Sequence, residues 1–190
     1  MFVLGVSLVV FAREGREATA APRLGDHWHT AYDIYVCDTY RAKIVDESDP
    51  NGIHTHGDGL MHIHPFNSLA SGSNATIGEF FRSFGGVIDD RSIRLDTGET
   101  IIEGSDCGGE PTVLKVARFD AQDRDRAPQV ITEDLAGIRY LKNLEAITIA
   151  FVPEGVEPPA PRAERFTFLE TVDPRAISSG TSDAPTTTAG

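Results

Sequence analysis

Residues 28–37 alternate along the chain. Trp28, Tyr32, Ile34 and Val36 share one parity, and His27, His29, Asp33, Tyr35 and Cys37 share the other. That period of two predicts a half-buried strand with its Ile/Val row on the core and its histidines on the opposite face. The pattern returns at residues 60–64, where Met61 and Ile63 face one way and His62 and His64 the other, before Pro65 closes the run. Two turns separate these strands: Asp49-Pro50-Asn51-Gly52, and Gly57-Asp58-Gly59, which joins His54 and His56 to the second strand. The period changes at Ile77, Phe80, Phe81 and Phe84, which recur at helical spacing with Gly85 as the stop. Thr76 and Glu79 form a capping box at its start, in which Glu79 is expected to reach back to the first amide.

Further strands are predicted downstream. Residues 92–102 read as a hairpin turning at Asp96-Thr97-Gly98, and 112–119, 129–132 and 146–152 as single strands, with Ile147, Ile149 and Phe151 inward. Residues 105–111 form a Gly-rich loop carrying Cys107. The order of strands, one helix, then more strands predicts an α+β fold: a mainly antiparallel sheet with one short amphipathic helix packed on it. The domain is expected to span residues 26–153. Residues 1–25 read as a partial signal or membrane anchor with its linker, and 154–190 as a Pro-rich linker and a disordered tail rich in Ser, Thr, Ala and Pro.

Composition narrows the partners. The chain has 190 residues, which suits one domain, and its 40% hydrophobic content suffices for a core. Its net charge of −12 repels phosphate backbones and anionic lipid. No nucleic-acid partner is expected, and a membrane is expected only through the N-terminus. There, residues 1–12 are apolar and uncharged, too short to span a bilayer but of the length of a signal-peptide apolar region. Ala18-Thr19-Ala20 has the form of a cleavage site. We read the segment as the remainder of an export anchor whose true start lies upstream; a buried N-terminal strand is the alternative. The two cysteines, Cys37 and Cys107, are a disulfide candidate in an oxidising compartment. Cys37 is also a possible soft metal ligand.

The candidate chemistry lies in the histidines. All six fall between residues 27 and 64, as three His-x-His pairs: His27/His29, His54/His56 and His62/His64. Residues two apart on a strand share a face, so each pair can aim two imidazoles at one point. Imidazole suits zinc and copper. His54, His56, His62 and His64 are the first candidate ligands, His27 and His29 the next, and Asp58 a residue that orients a ring nitrogen from behind. Copper or zinc is the expected cofactor and the metal ion the expected partner. A solvated histidine-rich edge is the bland alternative. His54-Thr55-His56-Gly57-Asp58 begins like the His-x-His-x-Asp-His of binuclear metallo-hydrolases, but Gly59 stands where the last histidine would supply a second metal. A cupin motif fits no better, because Gly52, His54 and His56 are too close and no glutamate follows. A catalytic residue cannot be named.

At Asp26-His27-Trp28-His29, Cys37, Gly52-Ile53-His54-Thr55-His56-Gly57-Asp58-Gly59 and His62-Ile63-His64-Pro65 the chain resembles a family of actinobacterial proteins that look membrane-anchored and extracytoplasmic. A broader bacterial and archaeal set is similar at His54-Thr55-His56, Gly59-Leu60-Met61-His62 and Thr76-Ile77-Gly78-Glu79-Phe80-Phe81. The resemblance covers roughly residues 25–152, and the chain departs from it in its short N-terminus. It implies export to the outer face of the cell membrane and a working histidine constellation, and carries no activity. Three functions therefore stand as expectations: an exported, anchored metal-binding domain; an extracytoplasmic mononuclear metalloenzyme that activates water or oxygen; and a cell-surface interaction domain whose histidines sense pH.

Overall fold

The computed structural model describes residues 21–172. The expected anchor, its cleavage site and residues 173–190 of the tail lie outside them. The fold is α+β. Its main sheet is built from β1 (Trp28–Val36), β2 (Thr39–Tyr40), β3 (Ile53–His54), β4 (Leu60–Ile63), β8 (Asp106–Cys107), β9 (Glu110–Asp120), β10 (Gln129–Ile131) and β11 (Glu145–Pro153). The order is β10-β9-β11-β1-β4-β3, with β2 on β1 and β8 on β9. All pairs are antiparallel except β1 with β11. A second, three-stranded sheet holds β5 (Val87–Ile88), β6 (Ser92–Arg94) and β7 (Thr100–Ile102).

One face of the main sheet carries the large core. Tyr32, Ile34, Met61, Ile63, Ile147, Ile149 and Phe151 meet Ile77, Phe80 and Phe81 of helix α1 (Ile77–Ser83). Thr76 caps this helix, its Oγ1 accepting from Glu79 N–H at 3.2 Å. The reciprocal half of the capping box is not made. The buried Glu79 carboxylate instead accepts from Asn51 Nδ2 at 2.5 Å and pairs with Arg82. It thereby ties the helix to the turn at residues 49–52.

The opposite face of β1 is buried as well, which corrects the half-buried reading. Helix α2 (Ala163–Val172) lies over it, packing Phe166 and Leu169 on Ala31, Leu60, Leu144 and Ala146. Residues 154–172, read as linker, are thus part of the packed domain. Lys115 Nζ holds the exit from β11 by donating to the carbonyls of Glu154 (2.5 Å) and Val156 (2.9 Å). Tyr40 Oη donates to Ala160 O at 2.6 Å. Buried Asp33 then receives Arg162 through Nη2 (2.7 Å) and Arg165 through Nε (3.1 Å). A charge on the polar parity of β1 is tolerated because two guanidiniums arrive to meet it. Cys37, just beyond β1, is disulfide-bonded to Cys107 in β8. Among the described residues no helix is long and apolar enough to cross a membrane.

Candidate metal centre

The face that carries α2 at one end carries the histidines at the other. His29 stands opposite His62 in the β1–β4 pair, and His62 stands opposite His54 in the β4–β3 pair. Three adjacent strands therefore deliver one histidine each in a lateral row, at the cross-strand spacing of neighbouring side chains. His27 and His64 extend the cluster in one direction along the strands and His56 in the other. The six rings form a closed circuit. Centroid distances run His56–His54 4.6 Å, His54–His64 4.7 Å, His64–His27 5.3 Å, His27–His29 4.8 Å, His29–His62 5.0 Å and His62–His56 4.5 Å. His54 and His62 also stack across it at 5.5 Å.

The turns fix the row. At residues 49–52, Asp49 Oδ1 accepts from Gly52 N–H at 2.6 Å. Asn51 is held between Glu79 and Asn67. Gly52 sits at φ +90°, and a Cβ there would come within 2.3 Å of the His64 carbonyl oxygen. Glycine is what lets the turn lie against the end of β4. In the second turn, Asp58 Oδ1 accepts from Leu60 N–H at 2.9 Å, while a Cβ on Gly59 would strike the Arg165 guanidinium. Helix α2 thus presses directly on the loop that carries Asp58.

Two groups of ligand atoms result. His27, His29 and His62 offer three atoms within 4.8 Å of one another, and Asp49, His54 and His64 offer another three. These clusters could hold a metal ion. His62 Nε2 donates to Asp58 Oδ2 at 2.8 Å. An ionised carboxylate only accepts, so the proton is on Nε2 and Nδ1 keeps its lone pair. Burial alone would raise the Asp58 carboxyl, but the bonds from His62 and the Leu60 amide outweigh it and hold it below the usual range. His54 is buried, and its Nε2 lies 3.0 Å from His56 Nε2. Its Nδ1 lies 3.2 Å from Asp49 Oδ2 and has no hydrogen-bond partner. Two ligand atoms each about 2 Å from one ion are separated by roughly this distance. Burial, reinforced by His64, His56 and His62 and opposed by Asp49, pushes the His54 imidazole down to about 4. It is neutral at pH 7, the form that binds metal.

All six predicted histidines come together, but the pairs divide. His27 and His29 share a group, His62 and His64 serve different groups, and exposed His56 belongs to neither, bracing His54 instead. Asp58 sits behind His62. Asp26, the other nearby acid, accepts from Arg23 N–H. Asp49 was missed, although its Asp-Pro-Asn-Gly turn stands immediately before His54. Soft donors are absent from both groups: Cys37 is in the disulfide, and Met61 lies in the core with its sulfur receiving Tyr140 Oη at 3.1 Å. A separate cleft of about 350 Å³ is lined by Arg118, Asp120, Lys142 and Glu145 but by no histidine. Four of its five charged residues pair with each other, Arg118 with Glu145 and Lys142 with Asp120, and Arg126 is the fifth. In comparisons with protein-family models, curated proteins and solved structures, nothing matches this chain.

Proposed function

We propose that this chain is an exported, membrane-anchored domain that binds zinc or divalent copper on its histidine face. The observation that carries the reading is the closed circuit of six imidazoles drawn from three strands and the residues flanking them, with a buried His54 Nδ1 that makes no hydrogen bond and faces Asp49. Imidazole and carboxylate donors without thiolate or thioether favour Zn²⁺ or Cu²⁺ over Cu⁺. The Cys37–Cys107 bond and the apolar residues 1–12 support export, as does the resemblance to anchored actinobacterial proteins. The full chain, dialysed against Zn²⁺ or Cu²⁺ and then freed of excess, is expected to retain metal by elemental analysis. The variant H54A/H62A is expected to lose it. A wild-type chain that retains neither ion overturns the proposal.

A metalloenzyme is the second reading, favoured by the three-ligand count of each group. Catalytic zinc sites keep three protein ligands and an open fourth position, whereas structural sites close all four. Exchange of a metal-bound water, read by relaxation of solvent protons with Cu²⁺ loaded, separates an open site from a closed one.

A further inference from the structure

We propose that the histidine face holds two metal ions side by side, one on His27, His29 and His62 and the other on Asp49, His54 and His64. Each is a divalent late first-row ion with an open coordination position. The proposal rests on the metal-binding reading and adds its stoichiometry and its division of ligands.

The two groups share no residue, and within each the three ligand atoms lie within 4.8 Å of one another. One ion of the zinc type takes three or four ligands. Five imidazoles and a carboxylate exceed what one such ion can use, and they fall into two sets of three. Each set draws on different segments. The first takes the start of β1 and the middle of β4. The second takes the turn at residues 49–52, the end of β3 and the residue after β4.

Each group also has its own support. In the first, Asp58 Oδ2 accepts from His62 Nε2 at 2.8 Å, which leaves the Nδ1 lone pair to a metal. In the second, His56 occupies His54 Nε2 at 3.0 Å, and the buried His54 Nδ1 faces Asp49 Oδ2 without hydrogen-bond geometry. A buried nitrogen without a hydrogen bond is costly unless something binds it. Asp49 has one oxygen fixed by Gly52 N–H, so its second oxygen is pre-aimed at His54 and His64, at 3.2 and 3.9 Å. The groups adjoin where His54 stacks on His62 and His64 meets His27. Asp49 supplies the second ion with a negative ligand that the first lacks, and Asp58 places a carboxylate behind the first. These two carboxylates offset the repulsion between neighbouring cations.

Two adjacent open positions suit ligands that bridge two ions, such as hydroxide or a phosphate or carboxylate oxygen.

The test is equilibrium dialysis of the full chain against Zn²⁺, with bound metal counted per chain. Wild type is expected to hold two equivalents. D49N/H64A and H27A/H29A are each expected to hold one, with unchanged circular dichroism. One equivalent in wild type that either variant abolishes would overturn the pairing and leave a single shared site. No bound metal in wild type would instead remove the metal-binding reading itself. Loading wild type with Cu²⁺ needs no variant: two ions in adjacent groups give a spin-coupled electron paramagnetic resonance signal. Only uncoupled copper signals at full loading would overturn the side-by-side arrangement.

Discussion

At the scale of single residues, the site depends on backbone positions as much as on ligands. Gly52 places the turn against β4, and a methyl group there meets the His64 backbone rather than a yielding side chain. Gly52→Ala is expected to lower the melting temperature of the metal-free protein and to weaken the group containing His64. The strain of a non-glycine residue at this φ alone is about 1–3 kcal/mol. Gly25→Ala, at φ +86° with nothing within 4 Å of the added carbon, is the control that keeps the strain and removes the clash; thermal unfolding compares the two. His54 makes the metal-free fold acid-sensitive. An ordinary histidine takes its proton near 6.5, but His54 in the fold does so only near 4. Between those values the unfolded chain binds more protons, so stability falls as pH is lowered through that window and levels off below it. The groups facing His54 are Asp49, which opposes the effect, and His56, His62 and His64, which add to it. Melting curves from pH 7 to pH 4 are expected to drop for wild type and to be flatter for His54→Asn. Asp58 was legible as a support because it sits two residues from one pair and four from the next. Asp49 was not, because its role depends on a turn folding back, and Asp-Pro-Asn-Gly reads first as turn chemistry.

At the scale of elements, the longer strands and α1 were readable because one face of each meets a continuous apolar core and the period survives; the two-residue strands β2, β5 and β8 are too short to show a period. Helix α2 was not. Three prolines, Pro158, Pro159 and Pro161, precede it, and Phe168 points outward while Arg165 is buried. That inverts the usual pattern of apolar-in and charged-out. The reason is Asp33: a buried carboxylate on β1 needs cations, and α2 supplies Arg165 and its preceding segment Arg162. The same fact explains why β1 looked half-buried, since its polar parity is covered by a helix that matches it with charge rather than with apolar surface alone. Asp33→Ala leaves buried Arg165 with only the exposed Glu164 as an ionic partner, a change of up to about 3–5 kcal/mol. Limited chymotrypsin digestion is expected to cut at Phe166 and Phe168 in the variant while leaving wild type intact there. Because Arg165 also backs Gly59, release of α2 is expected to loosen the Asp58 loop and so weaken metal binding at His62 before it affects the group with Asp49.

At the scale of the whole molecule, two constraints act at opposite ends of β1. The histidines gather before and at its start, and Cys37 follows its end, where the disulfide spans a sequence separation of 70 residues. In the chain-entropy account that closure stabilises the fold by about 4 kcal/mol. A metal at a hundred times its dissociation constant adds about 2.7 kcal/mol per site by mass action. His27 and Cys37 are ten residues apart on an extended strand, roughly 30 Å at about 3.3 Å per residue. Effects separated by more than about 10 Å with no shared partner usually add. Reducing the disulfide is therefore expected to lower the melting temperature by roughly 8–16 °C for a domain of this size, and by the same amount with and without saturating Zn²⁺. Zn²⁺ in turn is expected to raise it equally in the oxidised and reduced forms, as four calorimetric scans would show. A Zn²⁺ effect that grew on reduction would mean that the freed thiols had become ligands, and it would place an ion at the Cys37 end of the strand rather than among the imidazoles.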